Sequence, residues 1–273
     1  MKINLLFSID DNFIQQLKTT IYSIQQNSQD HDYTIYVLQK EPLEKQAELQ
    51  DFLNQLNITY VPIILGDEQL FADAPISKRY PETIYYRLLA HKYLPQELTK
   101  ILYLDADILC INDITPLYQL NLGTDLYAAA SHQGLTQITD AINKVRLDTY
   151  ENEGYFNSGV LLMNLSAIRE KVTEQDIFNA IKDHGDYLLL PDQDILNYLY
   201  GKYIVSIPDE LYNYDTRKNL MYQTISVGKW DINWVIKNNV FLHFCGKDKP
   251  WSEKYTGNFR ELYRHYLHKT ELL

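Results

Sequence analysis

Asp105-Ala106-Asp107 interrupts an otherwise apolar run, Ile101-Leu102-Tyr103-Leu104 before it and Ile108-Leu109-Cys110-Ile111 after it. Such flanks suit a central strand covered on both faces, where ionised carboxylates are costly without a cation or strong donors. In an extended run, residues two apart point the same way. Two like charges side by side then repel, unless a divalent cation sits between them or one keeps its proton. The bland alternative is a turn at this point, with the aspartates capping it. In so apolar a run the metal reading is the stronger one. Mg²⁺ and Mn²⁺ both suit carboxylate oxygens and leave coordination positions for phosphate.

A second polar break closes the apolar run Val240-Phe241-Leu242-His243-Phe244. A lone His at a strand end is ordinarily structural. Here Gly246 follows, which permits close backbone approach, and Lys247 and Lys249 supply charge for a phosphate. If His243 joins the two aspartates, its imidazole shifts the preference from Mg²⁺ towards Mn²⁺.

The elements that must position these groups alternate strand and helix. Ile3 to Ile9 is a short apolar run ending in Asp10-Asp11-Asn12, and Ile14, Leu17, Ile21 and Ile24 then recur at helical spacing. Tyr33 to Leu38 and Ile58 to Leu65 read as strands around a polar helix with Leu43, Ala47, Leu53 and Leu56. Tyr85, Leu88, Leu89 and Tyr93 mark a helix stopped by Pro95, and Ile101 to Ile111 reads as the next strand. Leu126 to Ala130 and Val160 to Asn164 continue the sheet, and Asn157-Ser158-Gly159 reads as a turn before the latter. Ser166 is placed to cap a helix towards Lys182, and Asp192 to cap a shorter one. Tyr212 to Val227 lacks periodicity and reads as a loop over a site, Val240 to Phe244 is a last strand, and Thr256 to Lys269 reads as a helical tail. This pattern predicts an α/β fold, a mainly parallel sheet with helices on its faces. It has no internal repeat or linker, so the expectation is one catalytic unit over 1–250 with a tail over 251–273.

Two hundred and seventy-three residues can bury a substantial core. The formal net charge of −11 argues against nucleic acid as a partner. It also means that a phosphate ligand needs a bound cation or a local basic cluster to offset the field. Cys110 and Cys245, both in apolar runs, read as buried free thiols of a reducing compartment. Met1 to Phe7 lacks the length and cleavage site of a signal peptide, and no segment has the apolar length to span a bilayer. A cytoplasmic protein is the expectation.

Six blocks, in order, resemble glycosyltransferase family 8, the retaining group that includes glycogenin and the bacterial lipopolysaccharide galactosyltransferases. They are Phe7-Ser8-Ile9-Asp10-Asp11-Asn12, Tyr86-Arg87, Leu104-Asp105-Ala106-Asp107, Phe156-Asn157-Ser158-Gly159-Val160, Pro191-Asp192-Gln193-Asp194, and His243-Phe244-Cys245-Gly246 through Lys249-Pro250-Trp251. The resemblance implies a GT-A fold, a UDP-sugar donor, and Mn²⁺ held by Asp105, Asp107 and His243. It implies that Ser8, Asp10 and Asn12 hold the uridine and that Gly246 and Lys249 hold the diphosphate. Arg87, Asp105 with Ala106, Asn157, Asp192 and Gln193 would surround the transferred hexose, galactose or glucose.

Residue chemistry agrees with that assignment. Asp10 and Asn12 follow the first strand, where open α/β sheets bind ligands, and can pair with a uracil edge. Their bland role is capping the next helix, which suits Asp11 best. For Arg87 the alternatives are a solvated face and a structural ion pair. Retention of configuration can proceed through a covalent intermediate, with Asp192 or Gln193 as nucleophile, or by front-face attack. An amide is a poor nucleophile, which favours the front-face route. The acceptor, a glycan, lipid or protein, is not specified by these residues. Relatives acting on membrane-bound acceptors carry basic, aromatic tails, and Arg260, Tyr263, Arg264, Tyr266 and Lys269 resemble a short one; a solvated helix is the alternative to such peripheral membrane contact.

Overall fold

The computed structural model describes residues 1–66, 70–71, 74–77, 81–131 and 154–273. Its strands are β1 Lys2–Ser8, β2 Asp32–Gln39, β3 Thr59–Ile64, β4 Lys100–Leu104, β5 Ile108–Cys110, β6 Tyr127–Ser131, β7 Phe156–Asn164, β8 Ile204–Ile207, β9 Tyr214–Asp215 and β10 Phe241–His243. The helices longer than one turn are α1 Ile14–Asn27, α2 Gln46–Gln55, α3 Tyr86–Tyr93, α4 Leu165–Lys171, α5 Glu174–His184, α6 Pro191–Tyr200, α7 Asn219–Ile225, α8 Ile232–Asn238 and α9 Arg260–Glu271.

Seven strands form one sheet in the order β3-β2-β1-β4-β7-β6-β8, and β5-β10-β9 form a second, smaller one. Within the large sheet only β7 runs against its neighbours, so the sheet is mainly parallel, as expected. The chain steps from β1 to β2 and β3 on one side, then returns to place β4 on the other. The gap between the carboxyl ends of β1 and β4 is therefore the topological switch point, where open α/β sheets leave a crevice.

Alternation along the strands fills both faces of that sheet. Ile3, Leu5 and Phe7 of β1 and Leu102 and Leu104 of β4 join the layer under α1 and α2. Leu6, Ile101 and Tyr103 join the layer under α3 to α6. Each such aliphatic side chain contributes roughly 1.5–3 kcal/mol through burial, which is why a polar residue inside these strands needs a compensating reason. The α1 stripe Ile14, Leu17, Ile21 and Ile24 is buried as its spacing predicts, whereas in α2 the inward residues are Leu49, Phe52 and Leu53, and Ala47 is exposed. A third apolar cluster lies under the small sheet and includes Tyr214, Tyr222, Phe244 and Tyr263.

Several local expectations are corrected. Ile101 to Ile111 is not one strand: β4 ends at Leu104, residues 105–107 turn, and β5 belongs to the other sheet. The two carboxylates therefore owe their placement to a turn between sheets and not to strand alternation. Asn157-Ser158-Gly159 lies inside β7, not in a turn before it. The helix expected from Ser166 to Lys182 is two helices, capped by Asn164 and Thr173, whose side chains accept from the N–H groups of Ala167 and Asp176. Tyr212 to Val227 is not a loop; it holds β9, a 3₁₀ turn and α7. At the other end, α9 starts at Arg260 and lies against α1, where Gln15 donates to Thr270 Oγ1 (2.9 Å) and Asn27 to the Tyr266 hydroxyl (2.7 Å). No helix among the described residues is long and apolar enough to cross a membrane.

Candidate active site

The turn 105–107 is held from three sides. Asp105 N–H donates to Gly159 O of β7 (2.9 Å), and Phe244 N–H donates to Asp107 O (3.0 Å). From α1, Thr20 Oγ1 lies 3.0 Å from Ala106 O and 2.7 Å from Ile108 O. These contacts satisfy the backbone of a turn whose side chains are left to face the crevice. Ser23 extends the clamp by accepting from Cys110 N–H (3.0 Å). Thr20 and Ser23 were not singled out in the sequence. Their signal is a buried Thr-Thr-x-x-Ser cluster inside the inner face of an otherwise apolar helix.

Against this turn β10 brings His243, 3 % exposed, and the ligand atoms of Asp105, Asp107 and His243 all lie within 4.8 Å of one another. His243 Nε2 is 3.1 Å from Asp107 Oδ1 and 3.7 Å from Asp105 Oδ2. Its Nδ1 lies 2.7 Å from Asn213 Oδ1, so Nε2 is the nitrogen presented to the carboxylates. Asp107 Oδ1 is buried and makes no hydrogen bond among the described residues. An unbonded carboxylate oxygen, a second carboxylate and an imidazole nitrogen converging on one point fit a divalent cation. The mixed oxygen and nitrogen set favours Mn²⁺ over Mg²⁺.

Charge compensates charge throughout. Lys249 Nζ pairs with Asp107 Oδ2 and donates to Phe244 O (2.9 Å). Burial alone would raise the Asp107 pKa, but Lys249 and His243 outweigh it and hold the carboxylate below its ordinary range. Burial likewise opposes the charged form of His243, yet Cys245 and Asp107 raise its pKa well above the usual histidine value. A proton therefore competes with a metal for Nε2.

The sugar-side candidates meet in one buried network. Arg87, expected at the sugar with a solvated face or a structural ion pair as the alternatives, is 6 % exposed and ion-paired. Its Nη2 lies 3.0 Å from Asp105 Oδ1 and its Nε 3.4 Å from Asp192 Oδ2, while Nη1 donates to Ser158 O (2.9 Å). Ser158 Oγ donates to Asp192 Oδ2 (2.9 Å), and the Tyr103 hydroxyl donates to Asp105 Oδ1 (2.8 Å). Burial raises the Asp192 pKa despite the Arg87 charge. Asp192 does not cap α6. The N-cap is Leu190, and Asp194 reaches back to accept from Leu189 N–H (2.7 Å) and Leu190 N–H (3.1 Å), fixing the chain as it enters the helix. Asn157 joins the network by donating to Gln193 Oε1 (3.0 Å).

Two glycines are explained by close approach. A Cβ on Gly159 would stand 2.4 Å from His243 Cε1 and 2.7 Å from Asp105 Oδ2, so only glycine lets β7 pass under the cluster. Gly246 has φ +90°, and a Cβ there would meet Arg217 Nη1 at 2.7 Å. Arg217 is itself anchored on the buried Asp215, Nη2 to Oδ2 at 2.7 Å, a pairing without periodicity or motif to mark it.

Ser8, Asp10 and Asn12 stand at the carboxyl end of β1, across the switch point from Asp105. Ser8 Oγ donates to Thr83 O (2.6 Å), and the cap is Asp10, not Asp11: its carboxylate accepts from Asn12 N–H (2.9 Å), while Asp11 accepts from Glu44 N–H (2.7 Å). No hydrogen bond among the described residues joins Asp10 or Asn12 to the acidic cluster. Both cysteines are free, but only Cys110 is fully buried; Cys245 is half-buried beside the Gly246 turn.

The glycosyl transferase family 8 profile matches residues 4–255. Lipopolysaccharide 1,2-glucosyltransferase of Escherichia coli is 30% identical over 256 residues, covering 92% of this chain and 73% of that protein. General stress protein A of Bacillus subtilis (strain 168) is 27% identical over 272 residues, covering 96% and 92%. Among solved structures, galactosyltransferase LgtC in complex with donor and acceptor sugar analogs superposes with TM-score 0.83 at 24% identity, covering 98% of this chain and 96% of that one. That likeness identifies the architecture as GT-A. With a family match over nearly the whole length, the chain belongs to glycosyl transferase family 8 and is a glycosyl transfer enzyme.

Proposed function

We propose that the protein is a retaining hexosyltransferase that moves galactose or glucose from a UDP-sugar to a glycan, lipid or protein acceptor, using Mn²⁺ held by Asp105, Asp107 and His243. The observation that carries this reading is the convergence of those three side chains, from two sheets, at the switch point and beside Lys249. Relatives named as glucosyl- and galactosyltransferases of lipopolysaccharide support the hexose class. Mn²⁺ in this site supplies the positive charge that makes UDP a better leaving group.

The chain's own residues do the rest. Lys249 and the Gly246 backbone hold the diphosphate, and Lys249 adds charge to it as it departs. Ser8, Asp10 and Asn12 hold the uridine at the end of β1. Arg87, Asp105 with Ala106, Asn157, Asp192 and Gln193 surround the sugar. Asp192 Oδ2 is committed to Ser158 and Arg87, and Gln193 Oε1 accepts from Asn157 and from Ser158 N–H (3.3 Å). Neither candidate nucleophile thus presents those oxygens unencumbered, which favours front-face attack, with the departing phosphate accepting the acceptor's proton. The test is a hydrolysis screen over UDP-galactose, UDP-glucose and other UDP-sugars. One hexose donor is expected to turn over with Mn²⁺ and to stop with excess EDTA. Turnover indifferent to chelator would remove the metal from this reading.

Peripheral membrane contact, one of the two readings of the tail beside a solvated helix, finds better support at another face. Tyr263 is fully buried and Tyr266 is bonded to Asn27, so the tail's rings turn inward. Between 220 and 236, by contrast, Leu220, Met221, Ile225, Val227, Ile232 and Ile236 are exposed, Val227 by 88 %. Lys218, Lys229 and Lys237 accompany them with Asp231 as the only acid from 216 to 239, in a chain of net charge −11. Apolar side chains among lysines match an anionic bilayer surface. Sedimentation with phosphatidylglycerol vesicles is expected to carry the protein down, and the triple variant Leu220→Ser, Val227→Ser, Ile236→Ser to stay in solution. Equal pelleting of the variant would return the contact to the tail.

A further inference from the structure

Asn213 is fully buried, and both ends of its amide are committed. Oδ1 lies 2.7 Å from His243 Nδ1, and Nδ2 donates to Asn157 Oδ1 (2.8 Å). Asn157 Oδ1 also accepts from the backbone N–H of Gly159 (2.9 Å), and Asn157 Nδ2 donates to Gln193 Oε1 (3.0 Å). Gln193 Oε1 accepts in turn from the backbone N–H of Ser158 (3.3 Å). The four side chains form a continuous relay, His243–Asn213–Asn157–Gln193, across the floor of the site.

The direction of every bond in this relay is fixed by two groups that cannot reverse. A backbone N–H only donates. Gly159 N–H therefore requires an oxygen from Asn157, and Ser158 N–H requires an oxygen from Gln193. With its oxygen so placed, Asn157 turns its NH₂ to Gln193 and offers its oxygen to the NH₂ of Asn213. Asn213 is left with an oxygen towards His243, which demands Nδ1–H and reserves Nε2 for the carboxylates. At the far end, the amide atom of Gln193 left for a ligand is the donor Nε2, which makes no hydrogen bond among the described residues. Flipping any one amide sets N–H against N–H or oxygen against oxygen with at least one neighbour.

We propose that Asn213 is a positioning residue that couples the metal-facing nitrogen of His243 to the amide orientation of Gln193. The inference rests on the proposed metal-dependent reading of the site. The partner on the non-ligating nitrogen of a histidine typically governs metal affinity by about 10–100-fold. Asn213 exerts that control at one end and orders the sugar side at the other.

Two substitutions separate the ends. Asn213→Leu removes both contacts. Asn213→Asp keeps an acceptor for Nδ1–H but opposes Asn157 Oδ1 with a second oxygen. Mn²⁺ binding without donor is read by the electron paramagnetic resonance of free ion, alongside melting temperature, UDP affinity in Mn²⁺, and the rate of UDP-sugar hydrolysis. Asn213→Leu is expected to weaken Mn²⁺ by about 10–100-fold. Asn213→Asp should bind Mn²⁺ and UDP as wild type does or more tightly, yet hydrolyse the donor at least about tenfold more slowly, since misplacement within a site is costly. A merely structural Asn213 would move metal affinity, turnover and melting temperature together in both variants, and that result overturns the proposal. So does Mn²⁺ binding by Asn213→Leu at wild-type strength. Should Asn213→Leu not fold, Asn213→Asp alone decides, by retaining metal while losing turnover or by failing to. A wild-type protein that binds no Mn²⁺ removes the metal reading first, and this inference with it.

Discussion

Asp107→Ala is expected to abolish Mn²⁺-stimulated turnover, lowering it by about three orders of magnitude. A cation on a leaving diphosphate contributes several kcal/mol to the transition state, and each 1.4 kcal/mol or so is tenfold in rate. Asp107 is the cleanest of the three proposed ligands to remove. Asp105 also anchors Arg87 and Tyr103, so its loss would disturb the sugar side as well. His243 leads into the Asn213 relay. Among the described residues, the Asp107 side chain contacts His243 and Lys249.

The same argument predicts what Asp107→Ala spares. Lys249 loses its carboxylate but keeps Phe244 O, and backbone Asp107 O still accepts from Phe244 N–H. The fold should therefore persist, seen as an unchanged circular dichroism spectrum, while calorimetry shows Mn²⁺ affinity lost. Asp107→Asn keeps the shape and removes only the charge, so it should sit between wild type and Asp107→Ala in metal affinity. Wild-type metal stimulation in Asp107→Ala would show that the cation is held elsewhere.

How far the sequence anticipated this site depends on the kind of signal. Asp105, Asp107 and His243 are legible because each breaks an apolar run, and desolvation cost makes such a break informative. What could not be read was the turn that unites them. The apolar flanks of residues 101–111 look alike, yet they belong to two sheets, and only pairing with β10 on one side and β7 on the other separates them. Arg87 was ambiguous because one helix periodicity cannot tell a buried cation from a solvated one until its two carboxylate partners are known. Asn213 and Arg217 were hidden in a stretch without periodicity. Their roles come from β9, two residues long, lying parallel to β10. Gly159 was visible as part of a motif but misplaced, since a glycine inside a strand and one in a turn look the same without the neighbour that forbids a side chain.

Arg87→Met carries the largest expected effect on stability, a loss of about 3–5 kcal/mol, because it leaves the buried Asp192 and the half-buried Asp105 without their cation. The guanidinium is nearly spent in the fold: one edge faces Asp105 and Asp192, Nη1 reaches Ser158 O, and its plane lies over the Tyr103 ring at 4.3 Å. Methionine replaces the packing over the ring but none of the donors. For a chain of this size the melting temperature should fall by on the order of 10 °C. Arg87→Lys keeps a charge but cannot fork between two carboxylates, and an intermediate loss is expected. Adding Asp192→Asn to Arg87→Met should recover part of the stability, since it removes one of the two uncompensated charges; the recovery measures the coupling directly. In the proposed metal site, Mn²⁺ would supply the other missing charge at Asp105. Saturating Mn²⁺ should therefore raise the melting temperature of Arg87→Met more than it raises that of wild type. Equal shifts in the two proteins would mean that Asp105 is not shared between the guanidinium and the metal, and that the sugar side and the cation side of the site are built independently.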